Sequence, residues 1–531
     1  MRVALSPQDH LPWPSELFPA QGAEMRLGLT RRLAARVDGQ GALREPCQSR
    51  VLESVLALRL LERTGLEPAR ESTLRGFLLA RAATLRGADL ALVAAALKHE
   101  WADEPDLLLA ALAAVPGFTA ARKRSLLNAL AVIVDSEAVP EWDEAAFDVS
   151  RLHSWAAVQV TAVKVILADA AGRLEQVDDE DVRRLLDTQR APHVWEGNVL
   201  IQLSVLHALA RLPGTAAVVE SGVRKVLEHQ RPDGGMPFVS DTDTWCTATA
   251  GMALAAAGAP EEILHRIAGH LIRQQQPAGG WSYTDLACQT DVDDTSVAVQ
   301  FLHQLDAGRY REPIERGIRS LYSVAAPDGG FPTYQPGAPS EAAMTAAALD
   351  ALTHSRPAHE SVITRGLRYL ASQQHSDGSF PPDWSSSRLH TVFRVLLAAA
   401  RNGGAEDETI RLMTARSLSL VLSQQNQDGG FGQQAGEPSD VISTAYGLIA
   451  LCTQSDPGPA VRAVAYLIAQ WQADGGVTSR PDSIGPRLFT FTVPVLAEIF
   501  TLLALGHLHH RLAPAVVPAS RTAADAPAGA R

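Results

Sequence analysis

The sequence predicts an all-α protein built as two helical domains, the repeated one able to close as an α/α barrel. Three observations predict it. A Gly-rich turn recurs at near-regular spacing through the second half of the chain. Ala/Leu-rich segments with helical periodicity lie between the turns. Almost no stretch alternates apolar and polar residues as a half-buried strand would. The turn copies read HQRPDGGMPF from His229, QQQPAGGWSY from Gln274, AAPDGGFPTY from Ala325, QQHSDGSFPP from Gln373, QQNQDGGFGQ from Gln424 and QWQADGGV from Gln470, about 45 to 51 residues apart.

Each repeat therefore reads as helix, turn, helix, with glycine supplying the positive φ that ends a helix. The intervening helices are Thr247–Ala257, Asp294–Leu305, Ala342–Thr353, Leu389–Arg401 and Ile442–Cys452. Six such pairs can close as one helix ring inside another, or remain an open solenoid. The repeat signal is weaker over residues 25–240, where Leu90–Ala114, Trp155–Gly172 and Val199–Leu212 are the clearest helices. This region reads as a second helical domain. The Ala-, Pro- and Ser-rich stretch 512–531 reads as a disordered tail.

Composition narrows the function. The chain has 531 residues, 46% hydrophobic, 20% charged and 5% aromatic. That excludes an intrinsically disordered protein. A net charge of −12 and the lack of a basic stripe argue against a nucleic-acid partner. Cys47, Cys246, Cys288 and Cys452 are scattered, with no CxxC pair for a structural zinc or a disulfide framework. The N-terminus lacks a signal-peptide core, and the longest apolar run, Phe491 to Gly506, carries Glu498 and is too short to span a bilayer. A cytoplasmic chain without stable membrane insertion is expected.

The chemical feature is Asp291-Val292-Asp293-Asp294-Thr295. Three carboxylates within four residues cannot all ionise cheaply in an enclosed site, so at least one is expected to keep its proton near neutrality. A carboxylic acid held neutral in an apolar cavity can act as a general acid. The plainer reading is an acidic N-cap for the helix that follows.

The D-x-D-D-T motif together with the Q-x-x-D-G-G-[WF] repeats resembles the class II terpene cyclases, which include squalene–hopene cyclases and bacterial diphosphate cyclases. The resemblance covers about residues 190–510. It implies the βγ architecture of that family: residues 1–24 and 241–511 forming a β domain that carries the acid, and 25–240 an inserted γ domain. It implies Asp293 as the general acid that protonates a polyprenoid, with Asp291 and Asp294 tuning it. Protonation creates a carbocation, which aromatic faces stabilise by about 0.5–2 kcal/mol each. By the same resemblance Trp245, Tyr283, Tyr334, Trp384, Phe489 and Phe491 line the cavity; the alternative for each is a core aromatic. Trp281, Phe331, Phe380 and Phe431, at the turns themselves, read as structural residues stacking on the repeat glutamines.

Two departures from the family stand out. Hopene-type cyclases place a histidine in a P-S-E-D-x-T-A-H segment as partner of the acid; here PSEAAMTAAAL puts Ala347 near that position. The S-x-Y-D-T-A-W motif of bacterial copalyl-type cyclases is missing, with only SPQDHLPWP from Ser6 in its place. No D-D-x-x-D motif follows Asp293, so ionisation of a diphosphate is not expected and the group should survive in the product. The resemblance implies an isoprenoid diphosphate substrate and Mg²⁺. Farnesyl diphosphate giving a drimane-type product is preferred, and geranylgeranyl diphosphate giving a copalyl-type product is the alternative. Glu196, Asp241 and Asp243 are candidate Mg²⁺ ligands, since Mg²⁺ favours hard oxygen donors, and Arg388 is a candidate diphosphate contact. Two other classes remain. A protein prenyltransferase β-like subunit would need an Asp, Cys, His zinc site, and Cys288 has no evident His partner. A non-catalytic helical-repeat module would tolerate substitution of Asp293. The sequence leaves the oligomeric state, a homodimer included, open.

Overall fold

The computed structural model describes residues 12–97, 120–134, 139–402, 407–472, 474–485 and 489–512. The tail expected at 512–531 lies outside these beyond Leu512, as does the last part of the helix expected at Leu90–Ala114. The repeat region closes on itself. Six inner helices, Asp243–Ala256, Val292–Asp306, Ala342–Thr353, Leu389–Arg401, Val441–Leu451 and Val495–Leu512, each pack on the next, and the last packs on the first. Their near-complete burial explains the all-round apolar composition. The first and last cross closely, because Gly506 has no Cβ where one would lie 2.6 Å from that of Ala256.

The outer helices are Glu261–Gln274, Arg311–Val324, Arg356–Gln373, Glu408–Gln424 and Gly458–Ala469. The sixth comes from the N-terminus: Ala20–Arg36 packs on Gly458–Ala469, Val495–Leu512 and Asp243–Ala256. Trp13 reinforces this closure, its Nε1–H donating to the Ser455 carbonyl at 2.7 Å. The domain boundary thus differs from the sequence expectation. Met25, Leu29, Leu33, Leu43 and Cys47 belong to the barrel's core, and the inserted domain's core begins at Val51. The segment 25–46 has the composition of either domain, and only its packing assigns it.

The chain enters and leaves the inserted domain side by side. Ser49–Arg50 pairs antiparallel with Met236–Pro237, in the register Ser49 to Pro237. At this junction the buried Arg50 is held by Glu53, donates to the Phe489 carbonyl at 3.1 Å and lies 4.4 Å from the Phe238 ring. In the inserted domain Val51–Thr64, Ser154–Ala170 and Val199–Leu209 form the centre, surrounded by Pro68–Ala82, Gly87–Leu97, Ala120–Val134, Asp179–Thr188 and Ala216–Leu227.

The repeat turns are built alike. Gln275 donates to the carbonyls of Gly279 and of Pro313 in the next outer helix, at 2.7 and 2.9 Å. Gln425 does the same to Gly429 and Pro459, at 2.8 Å each. The glutamines therefore fasten backbone to backbone. Gly279 adopts φ +99, and a Cβ there would meet the Arg316 carbonyl at 2.5 Å, so only glycine fits. Trp281, Phe331 and Phe431 are fully buried beneath the turns, as their structural reading requires.

Candidate active site

Inner helices separated by antiparallel outer ones all run the same way. Their first two turns, represented by Trp245, Asp293, Met344, His390, Tyr446 and Leu496, face one cavity. The inserted domain closes it from the other side through residues such as Leu126, Trp155 and Ile201. The volume is about 310 Å³ and the walls are predominantly apolar. That lies in the range of small-molecule sites.

The carboxylate triplet opens onto this cavity. Asp291 is the N-cap of Val292–Asp306, accepting from the Asp294 N–H at 2.8 Å. The capping geometry is compatible with access to the cavity: Asp291 caps while its neighbours face the cavity. Burial, with the charge of Asp293 nearby, pushes Asp291 up to about 7 against the opposing hydrogen bond from the Asp294 N–H. Burial first, then Asp291 and Asp293, push Asp294 well above the ordinary carboxyl range. Its Oδ1 is buried with no hydrogen-bond partner among the described residues. Near neutral pH the Asp291–Asp294 pair thus holds a proton at the cavity wall.

Asp293 has a partner that sequence reasoning missed. Arg394, from the inner helix Leu389–Arg401, donates to Asp293 Oδ1. Its guanidinium also lies 5.7 Å from the Trp245 ring. Burial works against the charged arginine, and Asp293, together with Asp383 and Tyr446, more than offsets it. An arginine thus occupies the partner role for which the segment at Ala347 offers nothing. The available signal was a polar pair, His390 and Arg394, one turn apart on a largely apolar helix.

Of the aromatics expected at the cavity, Trp245, Tyr283, Tyr334, Trp384 and Phe491 line it. They join Trp155 of the inserted domain, whose ring stands edge-on to Tyr283 and Tyr334, each at 5.3 Å between centroids. Tyr334 also stacks on His153 at 4.3 Å and meets Trp384 at 6.1 Å. Phe489 departs from the expectation: it packs into the inserted domain's core near Arg50 and does not line the cavity. Arg388 departs too. It pairs with Asp377 outside the cavity, because its helix position turns it toward the Gly378 turn.

The carboxylates proposed for metal separate into two roles. Glu196 Oε2 accepts from Trp155 Nε1, Cys288 N and Gln289 N at 2.9 to 3.1 Å, which makes it an interdomain fastener. Asp241 and Asp243 come together with Asp285, their oxygens all within 4.8 Å of one another. Arg44 donates to Asp243 at 2.5 Å and to Asp285 at 3.0 Å. Burial, then Asp241, pushes Asp243 up to about 8. None of the three lines the cavity, but Thr242 between the first two does.

Comparison with known proteins agrees with this geometry. Residues 199–382 match the prenyltransferase alpha-alpha toroid domain, and residues 337–510 the squalene-hopene cyclase C-terminal domain. A drimenyl diphosphate synthase from Streptomyces showdoensis is 37% identical over 91% of this chain and 94% of its own. One from Streptantibioticus cattleyicolor is 37% identical over 93% and 96%. The chain belongs to the class II terpene cyclase family. The fold of this cyclase is similar over most of its length to that of a solved structure, the ent-copalyl diphosphate synthase from Streptomyces platensis. That structure is 17% identical with a TM-score of 0.58, covering 92% of this chain and 100% of that one. Among its described residues the cyclase has no helix long and apolar enough to cross a membrane.

Proposed function

We propose that the cyclase converts farnesyl diphosphate to drimenyl diphosphate, with the diphosphate retained. The observation that carries this reading is the carboxylate triplet opening onto an apolar cavity of about 310 Å³ between the domains. The chain length and the diphosphate rest on kinship with the drimenyl diphosphate synthases. In this reading the substrate's terminal double bond lies against Asp293. Asp293 passes it a proton drawn from the Asp291–Asp294 pair, and a tertiary cation forms. Arg394 stabilises the carboxylate left behind. Two ring closures move the cation along the chain past the faces of Trp155, Tyr283, Tyr334 and Trp384. Loss of a proton then forms the product's double bond. The apolar walls keep water from capturing the cation.

Mg²⁺ is part of the proposal. The Asp241, Asp243 and Asp285 oxygens are the hard donors it prefers, and the three carboxylates outnumber the one arginine that meets them. Bound there, Mg²⁺ would supply charge neutralisation for a diphosphate.

The test offers farnesyl and geranylgeranyl diphosphate separately, with Mg²⁺, to the wild type and to Asp293→Ala. Products are dephosphorylated and identified by mass spectrometry. A bicyclic C15 alcohol from the wild type alone is expected. A product only from the C20 substrate would replace the proposed substrate, and turnover by Asp293→Ala would refute the mechanism.

A further inference from the structure

We propose that His390, held by Asp383, is the base that ends the cyclisation by taking the final proton. This inference rests on the acid-initiated cyclisation proposed above. Such a reaction needs a group inside the cavity that removes a proton from a carbon beside the last cation. The carboxyl triplet that starts the reaction lies at the other end of the transfer, and the apolar walls leave few alternatives.

The lining offers three further groups able to take a proton: His153, His390 and Asp482. Their surroundings differ. Asp482 already accepts from Ser385 Oγ at 2.8 Å and from Tyr446 OH at 3.1 Å, one bond on each oxygen. His153 stacks on Tyr334 and has no carboxylate beside it; its Nδ1 is buried without a hydrogen-bond partner among the described residues. An imidazolium formed there would be an uncompensated buried charge, and burial accordingly pushes His153 down to about 4.

His390 is arranged as a base. Its Nδ1 lies 2.6 Å from Asp383 Oδ2. Asp383 also accepts from Thr391 Oγ1 at 2.5 Å and from the Ser385 N–H at 2.8 Å. Burial works to raise Asp383, but the charge of a protonated His390 and these donors together hold it below the ordinary carboxylate range, so a carboxylate stands ready to balance the imidazolium once it forms. An ionised Asp383 only accepts, so Nδ1 must carry the hydrogen and the lone pair of the neutral ring falls on Nε2. Nε2 makes no hydrogen bond among the described residues. The ring is fixed edge-on to Phe393 at 5.7 Å and tilted against Tyr446 at 5.2 Å. A nitrogen base, oriented by a buried carboxylate that also balances the imidazolium, is the arrangement general-base catalysis requires.

Position fits as well. His390 stands one helical turn from Arg394, which holds Asp293. His390 and Asp293, the partner of Arg394, therefore face the same cavity from neighbouring parts of its wall. In the proposed step the Nε2 lone pair takes a proton from a carbon next to the tertiary cation. The electrons of that C–H bond become the second bond of the alkene, and the imidazolium is neutralised by Asp383. Release of this proton to solvent, with uptake by the carboxyl triplet, resets the enzyme, and the overall change is an isomerisation.

The test compares the wild type, His390→Gln and His153→Gln in ¹⁸O-water, using whichever of farnesyl or geranylgeranyl diphosphate the wild type cyclises. Products are dephosphorylated and quantified by mass spectrometry. In His390→Gln substrate consumption slows but persists, and the ratio of wild-type alkene to ¹⁸O-alcohol and misplaced alkenes falls at least about tenfold. His153→Gln keeps the wild-type ratio. Should His390→Gln fail to fold, Asp383→Asn leaves the imidazole in place and is expected to shift the ratio in the same direction. An unchanged ratio in His390→Gln, or a shift in His153→Gln instead, overturns the assignment while leaving the cyclisation intact. A wild type that cyclises neither diphosphate overturns both.

Discussion

Arg394 donates a hydrogen bond to the carboxylate of Asp293 in a site where both side chains are largely withdrawn from water. Removing one member of such a pair leaves the other charge buried and unpaired, which costs about 3–5 kcal/mol. Arg394→Met is therefore expected to lower stability by that order in denaturant unfolding. The double variant Arg394→Met/Asp293→Asn should recover part of the loss. Additive losses in the two single variants would show that the pair is not coupled.

Asp293→Asn tests the chemistry apart from the fold. The amide keeps the shape and still meets Arg394, but it has no proton to give an alkene. Turnover is expected to fall by at least about 10²–10⁴-fold, the range that a positioned general acid supplies. Substrate affinity, measured by calorimetry, should change far less than turnover. An equal loss in both would place Asp293 in binding instead.

These two residues also mark how far the sequence could be read. The triplet was legible because three carboxylates at a helix start are costly, while the choice of Asp293 within it came from the family resemblance; the Gly-rich turns were legible because Gly279 and its counterparts occupy backbone that other residues resist. Arg394 was not legible, because its partner lies 101 residues away and meets it only when the ring of inner helices closes. The same holds for Trp155, which reaches Tyr283 and Tyr334 across the domain interface. Phe489 and Phe491 could not be told apart by type, and packing sends one into a core and the other to the cavity. Helix Ala20–Arg36 joins the barrel rather than the inserted domain because the sixth outer position is vacant there.

The carboxyl pair predicts a pH-dependent stability. Asp291 and Asp294 both hold protons more tightly folded than their ordinary value of 3.8 allows. Below about pH 4 the folded and unfolded chains are both protonated and the groups cost nothing. As pH rises toward 7 and beyond, the unfolded chain releases protons that the folded one keeps, so stability falls. Asp294→Asn removes part of that cost. The variant should be more stable than wild type at pH 8 by on the order of 1–2 kcal/mol, with the gain gone at pH 4. A gain equal at both pH values would contradict the assignment.

Gly279→Ala tests the turn. The φ of +99 is strained for any L side chain, and the new Cβ would press on the Arg316 carbonyl at 2.5 Å, which belongs to rigid helix backbone. A loss of about 1–3 kcal/mol is expected. Gly337→Ala makes the control. It has φ +81 with nothing within 4 Å, so it carries the backbone cost without the collision and should lose less. Equal losses would assign the whole effect to φ.

Metal binding can be read without turnover. Asp241, Asp243 and Asp285 place their oxygens within 4.8 Å of one another, and Arg44 meets two of them. A cation that binds the folded chain stabilises it by mass action, so Mg²⁺ titration should raise the melting temperature of the wild type. The effect should be lost in Asp241→Asn/Asp243→Asn. It should persist in Glu196→Gln, because Glu196 is occupied by three N–H donors and stands outside the cluster. Loss of the Mg²⁺ shift in Glu196→Gln alone would move the site to the domain interface. The same shift in all three proteins would mean that Mg²⁺ acts elsewhere on the surface.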